Sequence, residues 1–286
     1  MEAKTMIELR GKVVSDSIKA EVQREAEEAE KELGRKPQLS IVRCGALPDD
    51  IAYEQSVLKK AQSFGISTET LTFPENVGDS EFMRRFMALN ENQAADGILL
   101  LRPLPHQLNE GFITSCIDSQ KDVDGISPVS AAGLYLGTDG FAPCTAEAVM
   151  ELLRFYHIDV EGKEVVIVGR SAVVGKPLAL LMLSANATVT ICHSKTKNLA
   201  EVCRRADILV AAIGKPCVIK SDFLKEGAVV IDVGINMDEN GKLCGDVDFE
   251  DCRKKASAMT PVPGGIGAVT TAVLMRHTAE AAKNSL

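Results

Sequence analysis

The chain has 286 residues, enough for one large domain or two of ordinary size. Apolar residues make up 45% and charged residues 25%, the balance of a soluble globular protein. The formal net charge of −8 argues against nucleic acid or an anionic membrane as the main partner. The first eight residues hold no apolar signal core and no 18-residue apolar run follows, so we expect a cytoplasmic protein.

The eight cysteines are scattered along the chain, and none forms a C-x-x-C pair. Most stand inside apolar runs, which favours buried free thiols in a reducing compartment over a metal site or a disulfide framework. We therefore expect no bound metal.

Helices and strands alternate in the first half of the chain. Apolar positions three and four residues apart, from Ile18 to Leu33, predict a helix that ends at Gly34. The alternation of strands and helices from residue 18 to residue 101 predicts a parallel sheet with helical crossovers. Its further elements are strands at 39–44, 66–72 and 97–101 and helices at about 50–64 and 80–90.

A second series follows residues 118–140, which are rich in Gly, Ser and Asp and are interpreted as a crossing between domains. An apolar helix near 269–282 has no strand after it and is expected to pack back on the first domain. The pattern predicts two α/β domains, one of residues 1–143 plus 266–286 and the other of residues 144–265. A helix at 145–156 precedes the second series, which starts at Lys163 and has strands at 165–168, 188–192, 208–212 and 229–232.

The first strand of the second series leads into a glycine turn, Gly169-Arg-Ser-Ala-Val-Val-Gly175, and then into a helix. In a doubly wound sheet this turn directs backbone N–H groups and a helix N-terminus at a pyrophosphate. Gly169 permits the tight turn and Gly175 permits close approach. The spacing differs from the standard G-x-G-x-x-G, and glycines kept for packing are the alternative, but the strand–helix–strand context favours dinucleotide binding.

The end of the second strand, Cys192-His-Ser-Lys-Thr196, carries no carboxylate. NAD sites place Asp or Glu there, to accept from the ribose 2′-hydroxyl. Ser194, Lys195 and Arg170 suit a 2′-phosphate instead, which predicts NADP, with an ordinary polar turn as the alternative. The ends of the third and fourth strands place Gly214 and Ile235 where they are expected to flank the nicotinamide side.

Several stretches, taken in order, closely resemble the methylenetetrahydrofolate dehydrogenase/cyclohydrolase family. The resemblance implies an N-terminal three-layer α/β substrate domain, a C-terminal Rossmann-like NADP domain, a cleft between them and usually a homodimer. It also implies oxidation of 5,10-methylenetetrahydrofolate with NADP and, in bifunctional members, hydrolysis of the methenyl product to 10-formyltetrahydrofolate. The stretches are Lys121-Asp-Val-Asp-Gly125, Pro143-Cys-Thr145, Gly169-Arg-Ser171 with Val174-Gly-Lys-Pro177, Cys192-His-Ser-Lys-Thr196, Gly245-Asp-Val247 and Thr260-Pro-Val-Pro-Gly-Gly265.

Position by position, the resemblance also implies site residues. Tyr53 matches the tyrosine that flanks the pterin, and Asp124 matches the carboxylate that hydrogen-bonds the pterin nitrogens. These two are the expected catalytic residues. The loop that closes over folate and nicotinamide corresponds to Pro263, Gly264 and Gly265. The residues that resemble cofactor contacts are Gly169, Arg170, Ser171, Ser194 and Ile235.

Two departures from the family pattern concern the hydrolytic step. The bifunctional pattern G-I-L-V-Q-L-P-L-P is here Gly97-Ile-Leu-Leu-Leu-Arg-Pro-Leu-Pro105, so Leu101 replaces the glutamine and Arg102 the next leucine. The pattern Y-x-x-x-K begins at Tyr53 and places Val57 at the lysine. Because leucine and valine cannot move a proton, we expect a dehydrogenase with weak or absent cyclohydrolase activity.

Two alternatives remain at the level of sequence. The protein is an ordinary bifunctional enzyme if Lys59 or Lys60 replaces the usual lysine. It is a non-catalytic folate- or nucleotide-binding protein if the chemistry has been lost, although the intact motifs argue against this. For Arg102 we consider a site that binds the folate carboxylate tail or an interdomain carboxylate, or a surface arginine whose stem covers apolar area.

Overall fold

The computed structural model describes residues 6–138 and 140–285, which form two parallel sheets, one short hairpin and their helices. The strands are β1 (Ile7–Glu8), β2 (Gln38–Cys44), β3 (Ser67–Phe73), β4 (Gly97–Leu100), β5 (Glu164–Val168), β6 (Thr188–Cys192), β7 (Ile208–Ala211), β8 (Val229–Asp232), β9 (Asn236–Met237), β10 (Leu243–Cys244) and β11 (Ala258–Met259). The α-helices are α1 (Gly11–Leu33), α2 (Pro48–Phe64), α3 (Asp79–Asn90), α4 (Glu110–Ser115), α5 (Pro128–Leu136), α6 (Cys144–Phe155), α7 (Gly175–Ser184), α8 (Leu199–Cys203), α9 (Phe249–Cys252) and α10 (Ile266–Asn284).

The described chain divides into two compact units. The three-stranded unit holds residues 17–144 and 271–285, and the six-stranded unit holds residues 6–16 and 145–270. The sequence pattern assigned the first 16 residues to the first domain. Of these, residues 6–16 lie in the six-stranded unit because β1 pairs in parallel with β11. The chain therefore passes from one unit to the other within α1, at the start of α6 and within α10.

The three-stranded unit is a parallel sheet in the order β3-β2-β4, with helices on its faces. On one face, Val42 and Leu100 pack in an apolar core with Phe82 and Phe86 of α3. On the other face, a Cβ at Gly97 would contact the Thr278 side chain of α10 at 3.4 Å, so this helix lies close to the start of β4. The α/β layering predicted from the sequence is confirmed.

The six-stranded unit is a parallel sheet in the order β1-β11-β8-β7-β5-β6. Its central strand β7 is fully buried, as continuous apolar runs in parallel sheets require. The chain runs from β5 to β6 on one side and returns to β7 on the other. The strand order therefore reverses beside β5, the position at which open α/β sheets bind ligands. This confirms the Rossmann-like prediction.

Some short elements were not predicted. Strands β1 and β11 and the β9–β10 hairpin have two residues per strand, too few for a periodic pattern. Residues 118–140 are not simply a crossing, because they contain helix α5. That helix has Pro128 in its first turn and a capping Ser127, whose side chain accepts from the Ser130 N–H.

The cysteine side chains lie mainly in the interior of the fold. All eight cysteines are free thiols, and five of them are buried. Within residues 6–138 and 140–285, no group of three or more His, Cys, Asp or Glu side chains is arranged to hold a metal ion. In the same part of the chain, every helix is too short or too polar to cross a bilayer.

Candidate active site

A cavity of about 350 Å³ opens at the carboxyl end of β4 in the three-stranded unit. The chain leaves this buried strand through Leu101, Arg102 and a cis Arg102–Pro103 peptide. The cavity brings together three of the residues predicted for the substrate, namely Tyr53, Arg102 and Asp124. Its lining residues are Asp49, Asp50, Tyr53, Leu99, Leu100, Leu101, Arg102 and Asp124.

Helix α2 carries Tyr53 into this cavity. The helix has Pro48 in its first turn, where a missing N–H is harmless, and ends at Gly65, which takes the left-handed conformation with φ 82°. Tyr53 is 41% exposed, so its ring remains available as a wall of the cavity. Desolvation raises the pKa of the Tyr53 hydroxyl, and the negative charge of Asp124 raises it further. The phenol is therefore protonated at neutral pH.

The Lys121-Asp-Val-Asp-Gly125 motif divides into structural residues and a site residue. Lys121 Nζ donates at 2.7 and 2.8 Å to two carbonyls at the end of α3. The buried Asp122 carboxylate accepts from two backbone N–H groups before α5 and from the Ser130 hydroxyl, at 2.5 to 3.0 Å. Asp124 is the member of the motif that lines the cavity.

The Asp124 carboxyl is electrostatically perturbed. Desolvation raises the pKa of Asp124 to about 6. A hydrogen bond from the Cys144 thiol and the positive charge of Arg102 lower this pKa, whereas the neighbouring Asp122 carboxylate raises it. Above pH 6 the ionised form therefore predominates, and it accepts hydrogen bonds from a ligand.

A buried histidine supports the backbone beside Asp124. His277 Nδ1 lies 2.8 Å from the Val123 carbonyl oxygen, and the Cys144 sulfur lies 3.2 Å from the same oxygen. Burial lowers the pKa of His277 to about 4, so the ring is neutral at pH 7 and its Nδ1–H donates to that carbonyl. Sequence reasoning missed His277 because it lies within an apolar helical pattern.

Two apolar side chains occupy the positions of the family's lysine and glutamine. Val57 lies one turn after Tyr53 on the inward face of α2 and is fully buried. Leu101 lines the cavity with 7% exposure, and its N–H donates to the Val42 carbonyl at 2.9 Å. Neither side chain has a group that takes or gives a proton.

The two lysines farther along α2 lie away from this cavity. Lys59 is exposed in a separate surface groove, beside Lys36 and Gln62. Lys60 places its Nζ 5.3 Å from the centre of the Phe64 ring. The structure therefore does not place a relocated lysine at the cavity.

Arg102 faces the cavity and is held by the helix that follows. Its Nη1 lies 3.5 Å from Glu110 Oε1, and the other Glu110 oxygen accepts from the Leu104 N–H at 3.0 Å. Because Glu110 is in the first turn of α4, this carboxylate fixes the turn after β4. Arg102 therefore lies in the wall of the cavity and pairs with a carboxylate of the same unit.

In the six-stranded unit, the glycine turn after β5 lies so close to neighbouring backbone that there is no room for a Cβ at Gly169 or Gly175. Gly169 has φ 145°, and a Cβ there would lie 2.2 Å from the Ala212 carbonyl oxygen. A Cβ at Gly175 would lie 2.1 Å from the Gly169 carbonyl oxygen, so α7 begins directly against the turn. Ser171 Oγ accepts from the Val174 N–H at 3.1 Å. The result is a tight cradle with the N-terminus of α7 at the carboxyl edge of the sheet.

Arg170 and Ser194 follow neighbouring strands. The Gly169 N–H donates to the carbonyl at the end of β6 at 2.9 Å, which sets the two turns side by side. Turn 193–196 is held by N–H bonds to its own threonine and histidine side chains, at 2.9 and 3.1 Å. Arg170, Ser194 and Lys195 are exposed. This edge therefore offers a guanidinium, an ammonium and a hydroxyl.

Asp246, which sequence reasoning did not select, connects the two loops on the other side of β5. Its buried carboxylate accepts from the backbone N–H groups of residues 213–215 at 2.5 to 3.1 Å. It also accepts from Asn236 Nδ2 at 2.9 Å. The loop that contains Gly214 is thus joined to the loop that contains Ile235.

A second buried carboxylate supports this connection. Asp232, at the end of β8, accepts from the N–H groups of Gly234, Asp246 and Val247 at 2.9 to 3.0 Å. Burial raises the pKa of Asp232 to about 6. The signal was present in the Gly245-Asp-Val247 motif, which identified the family but not this role.

The turn from Thr260 to Gly265 joins β11 to α10 and is anchored at both ends. Thr260 Oγ1 accepts from the Asp232 N–H at 2.7 Å, and the Gly11 N–H donates to the Gly264 carbonyl at 2.8 Å. A Cβ at Gly265 would lie 2.6 Å from the Pro261 carbonyl oxygen. Pro263 follows a cis peptide and is exposed together with Gly264.

Comparison with known protein families gives two matches. Residues 9–124 match the family described as tetrahydrofolate dehydrogenase/cyclohydrolase, catalytic domain. Residues 143–286 match the family described as tetrahydrofolate dehydrogenase/cyclohydrolase, NAD(P)-binding domain. A relative from Alkaliphilus oremlandii, described as bifunctional protein FolD, is 51% identical over 276 residues, covering 96% of each chain.

Solved structures give the same family. The bifunctional enzyme FolD, methylenetetrahydrofolate dehydrogenase/cyclohydrolase, from Campylobacter jejuni has a TM-score of 0.95 and 42% identity, covering 98% of this chain and 100% of that chain. The FolD enzyme of Trypanosoma brucei, complexed with NADP cofactor and inhibitor, has a TM-score of 0.92 and 36% identity, covering 98% of each chain. The chain therefore belongs to the tetrahydrofolate dehydrogenase/cyclohydrolase family.

Proposed function

We propose that this protein is an NADP-dependent 5,10-methylenetetrahydrofolate dehydrogenase whose cyclohydrolase activity is weak or absent. The observation that carries the proposal is the cavity at the end of β4. It retains Tyr53 and Asp124, but Leu101 lines it in place of a glutamine, and the adjoining helix carries Val57 in place of a lysine.

Asp124 supplies the acceptor for the pterin. One carboxylate can accept from two neighbouring N–H donors, the pattern that a pterin amino group and its adjacent ring nitrogen offer. Tyr53 offers an aromatic face for stacking. Arg102, on the same cavity, lowers the pKa of Asp124 and is a cation that can meet the carboxylate tail of folate.

The turns after β5 and β6 supply the NADP site. Gly169 and Gly175 leave a cradle that a Cβ at either position would fill, which fits a pyrophosphate. Arg170, Ser194 and Lys195 suit the 2′-phosphate. The Trypanosoma brucei relative, complexed with NADP, supports this choice. Gly214 and Ile235 are assigned to the nicotinamide side, and Pro263, Gly264 and Gly265 to the covering loop.

Hydride transfer does not require a protein side chain to donate or accept a proton. NADP, when bound, supplies the hydride acceptor for the methylene carbon of folate. Asp124 and Tyr53 hold the pterin, and the apolar side chains of Leu99 and Leu101 exclude water from the cavity wall. Because the step depends on alignment rather than on a protein acid or base, Val57 and Leu101 do not impede it.

Hydrolysis of the methenyl product makes a different demand. Water must attack the methenyl carbon, and protons must move during attack and ring opening. Val57 and Leu101 cannot carry them. The bifunctional enzyme is the second candidate, favoured by the description of the Alkaliphilus oremlandii and Campylobacter jejuni relatives as bifunctional.

The test follows NADPH and methenyltetrahydrofolate together by absorbance after purified protein is mixed with methylenetetrahydrofolate and NADP. We expect the two products to appear in equal amounts and the methenyl form to persist. Absence of NADP reduction would refute the dehydrogenase proposal, whereas rapid loss of the methenyl form to formyltetrahydrofolate would establish the bifunctional enzyme. We also propose a homodimer, which light scattering during gel filtration tests.

A further inference from the structure

We propose that the largely buried ion pair Arg43–Glu54 is a positioning device that fixes the Tyr53 segment of helix α2 beside the folate cavity. The inference rests on the proposed function, because it concerns the folate side of that site. It assigns a role to two residues that lie outside the motifs shared with the family.

The pair joins a strand to a helix through a short, shielded contact. Arg43, near the end of β2, donates from Nε to Glu54 Oε2 at 2.6 Å. The two side chains are 15% and 9% exposed. The guanidinium also donates to the Gly45 carbonyl. Charged side chains are seldom this buried unless they are paired, and a paired guanidinium with a second acceptor has little freedom to move.

The pair lies on the cavity face of the sheet. Strands β2 and β4 run parallel, with Ile41 opposite Leu99. The Leu101 N–H donates to the Val42 carbonyl, so the register continues with Arg43 beside Leu101. Because side chains alternate along a strand, Arg43 shares a face with Leu99 and Leu101, which line the cavity.

Glu54 is the first residue of α2 whose side chain is buried. Leu47, the residue that immediately precedes α2, makes no side-chain capping hydrogen bond. The buried residues of α2 begin at Glu54 and continue with Val57, Ala61 and Phe64. Tyr53 therefore lies at the end of a helix segment, 48–53, in which no side chain is buried. The ion pair joins the inner end of this segment to β2.

The chemistry of arginine limits the role to positioning. A guanidinium remains protonated throughout the physiological range, so Arg43 cannot replace the missing lysine as a carrier of protons. What it supplies is a fixed geometry for the residue after Tyr53. Misplacement of a substrate-holding group by about 1 Å can lower activity about a hundredfold.

The test compares Arg43→Met with Arg35→Met. Arg35 forms a similar pair with Asp96 at 2.6 Å in the same unit, but before β2 and β4, at the opposite edge of the sheet. Tetrahydrofolate affinity is measured by titration calorimetry, alongside kcat, both KM values and the thermal midpoint. We expect Arg43→Met to weaken tetrahydrofolate binding and kcat/KM for methylenetetrahydrofolate by about ten- to a hundredfold, with the KM for NADP within twofold. Arg35→Met should change only stability.

The outcomes separate this inference from the proposed function. Wild-type protein that binds tetrahydrofolate without reducing NADP would refute the function, while the calorimetric comparison would still test the pair. Equal folate affinity in wild type and Arg43→Met would overturn the inference, as would equal losses in the two variants at matched thermal midpoints. If Arg43→Met does not fold, Glu54→Gln provides the test. We expect a smaller loss of folate affinity in the same direction, and unchanged affinity would overturn the inference.

Discussion

Replacing Asp124 with asparagine separates the role of this carboxylate in binding from its effect on folding. Burial holds the pKa of Asp124 at about 6 instead of the ordinary 3.8, so the folded state disfavours the ionised form. At about 1.4 kcal/mol per pKa unit, the difference corresponds to up to about 3 kcal/mol. The Asp124 carboxyl takes up a proton below about pH 6 in the folded protein, but only below about pH 3.8 in the unfolded chain. Wild-type stability therefore falls as pH rises through this window.

Asparagine has no such titration. We expect Asp124→Asn to gain stability relative to wild type between about pH 4 and pH 7, by up to about 3 kcal/mol. The same variant should lose about ten- to a hundredfold in kcat/KM for methylenetetrahydrofolate, because it loses a charge-assisted hydrogen bond. Urea unfolding from pH 4 to 8 and steady-state kinetics measure the two effects. A stability difference that does not vary with pH would show that Asp124 has an ordinary pKa, and normal folate kinetics would remove Asp124 from the folate site.

Three further predictions concern the cofactor side and pH. Arg170→Ala should raise the KM for NADP about tenfold or more and change the KM for NAD little, and equal changes would show that Arg170 does not read the 2′-phosphate. Asp246→Asn should raise the KM for NADP and for NAD alike, by about ten- to a hundredfold, with calorimetric folate affinity unchanged. A matching loss of folate affinity would assign Asp246 to general stability. In wild type, kcat/KM for folate should fall below pH 6 as Asp124 becomes protonated, and an unchanged rate at pH 5 would contradict the direction of its pKa.

The elements that sequence predicted are those whose burial dictates their composition. Strand β4 and residues 165–168 of β5 are apolar because parallel strands are covered on both faces. Strands β1 and β11 depend on pairing between distant segments and leave no periodic pattern. Helix α5 was missed although Ser127 and Pro128 are residue types typical of a helix start, and the buried Asp122 carboxylate adds a contact there that residue spacing does not reveal.

In the candidate site, too, the sequence predicted some of the features and missed others. Motifs selected Asp124, which lines the cavity, and the glycine turn at Gly169, whose close packing excludes a Cβ. They could not show that Lys121 and Asp122 of the same motif serve the fold. The contacts of Asp246 with residues 213–215 join segments about 30 positions apart in the chain, so they emerge only in the folded structure.

Preformed 5,10-methenyltetrahydrofolate, added to the unmodified protein without cofactor, shows whether this dehydrogenase lacks an effective cyclohydrolase. We predict hydrolysis at the uncatalysed rate, independent of enzyme concentration, in a preparation that reduces NADP with methylenetetrahydrofolate. The reason is that Val57 and Leu101 occupy the positions at which the bifunctional family pattern has lysine and glutamine. Hydrolysis that is proportional to enzyme concentration and abolished by Lys59→Ala or Lys60→Ala would contradict this prediction and establish a bifunctional enzyme with a relocated lysine.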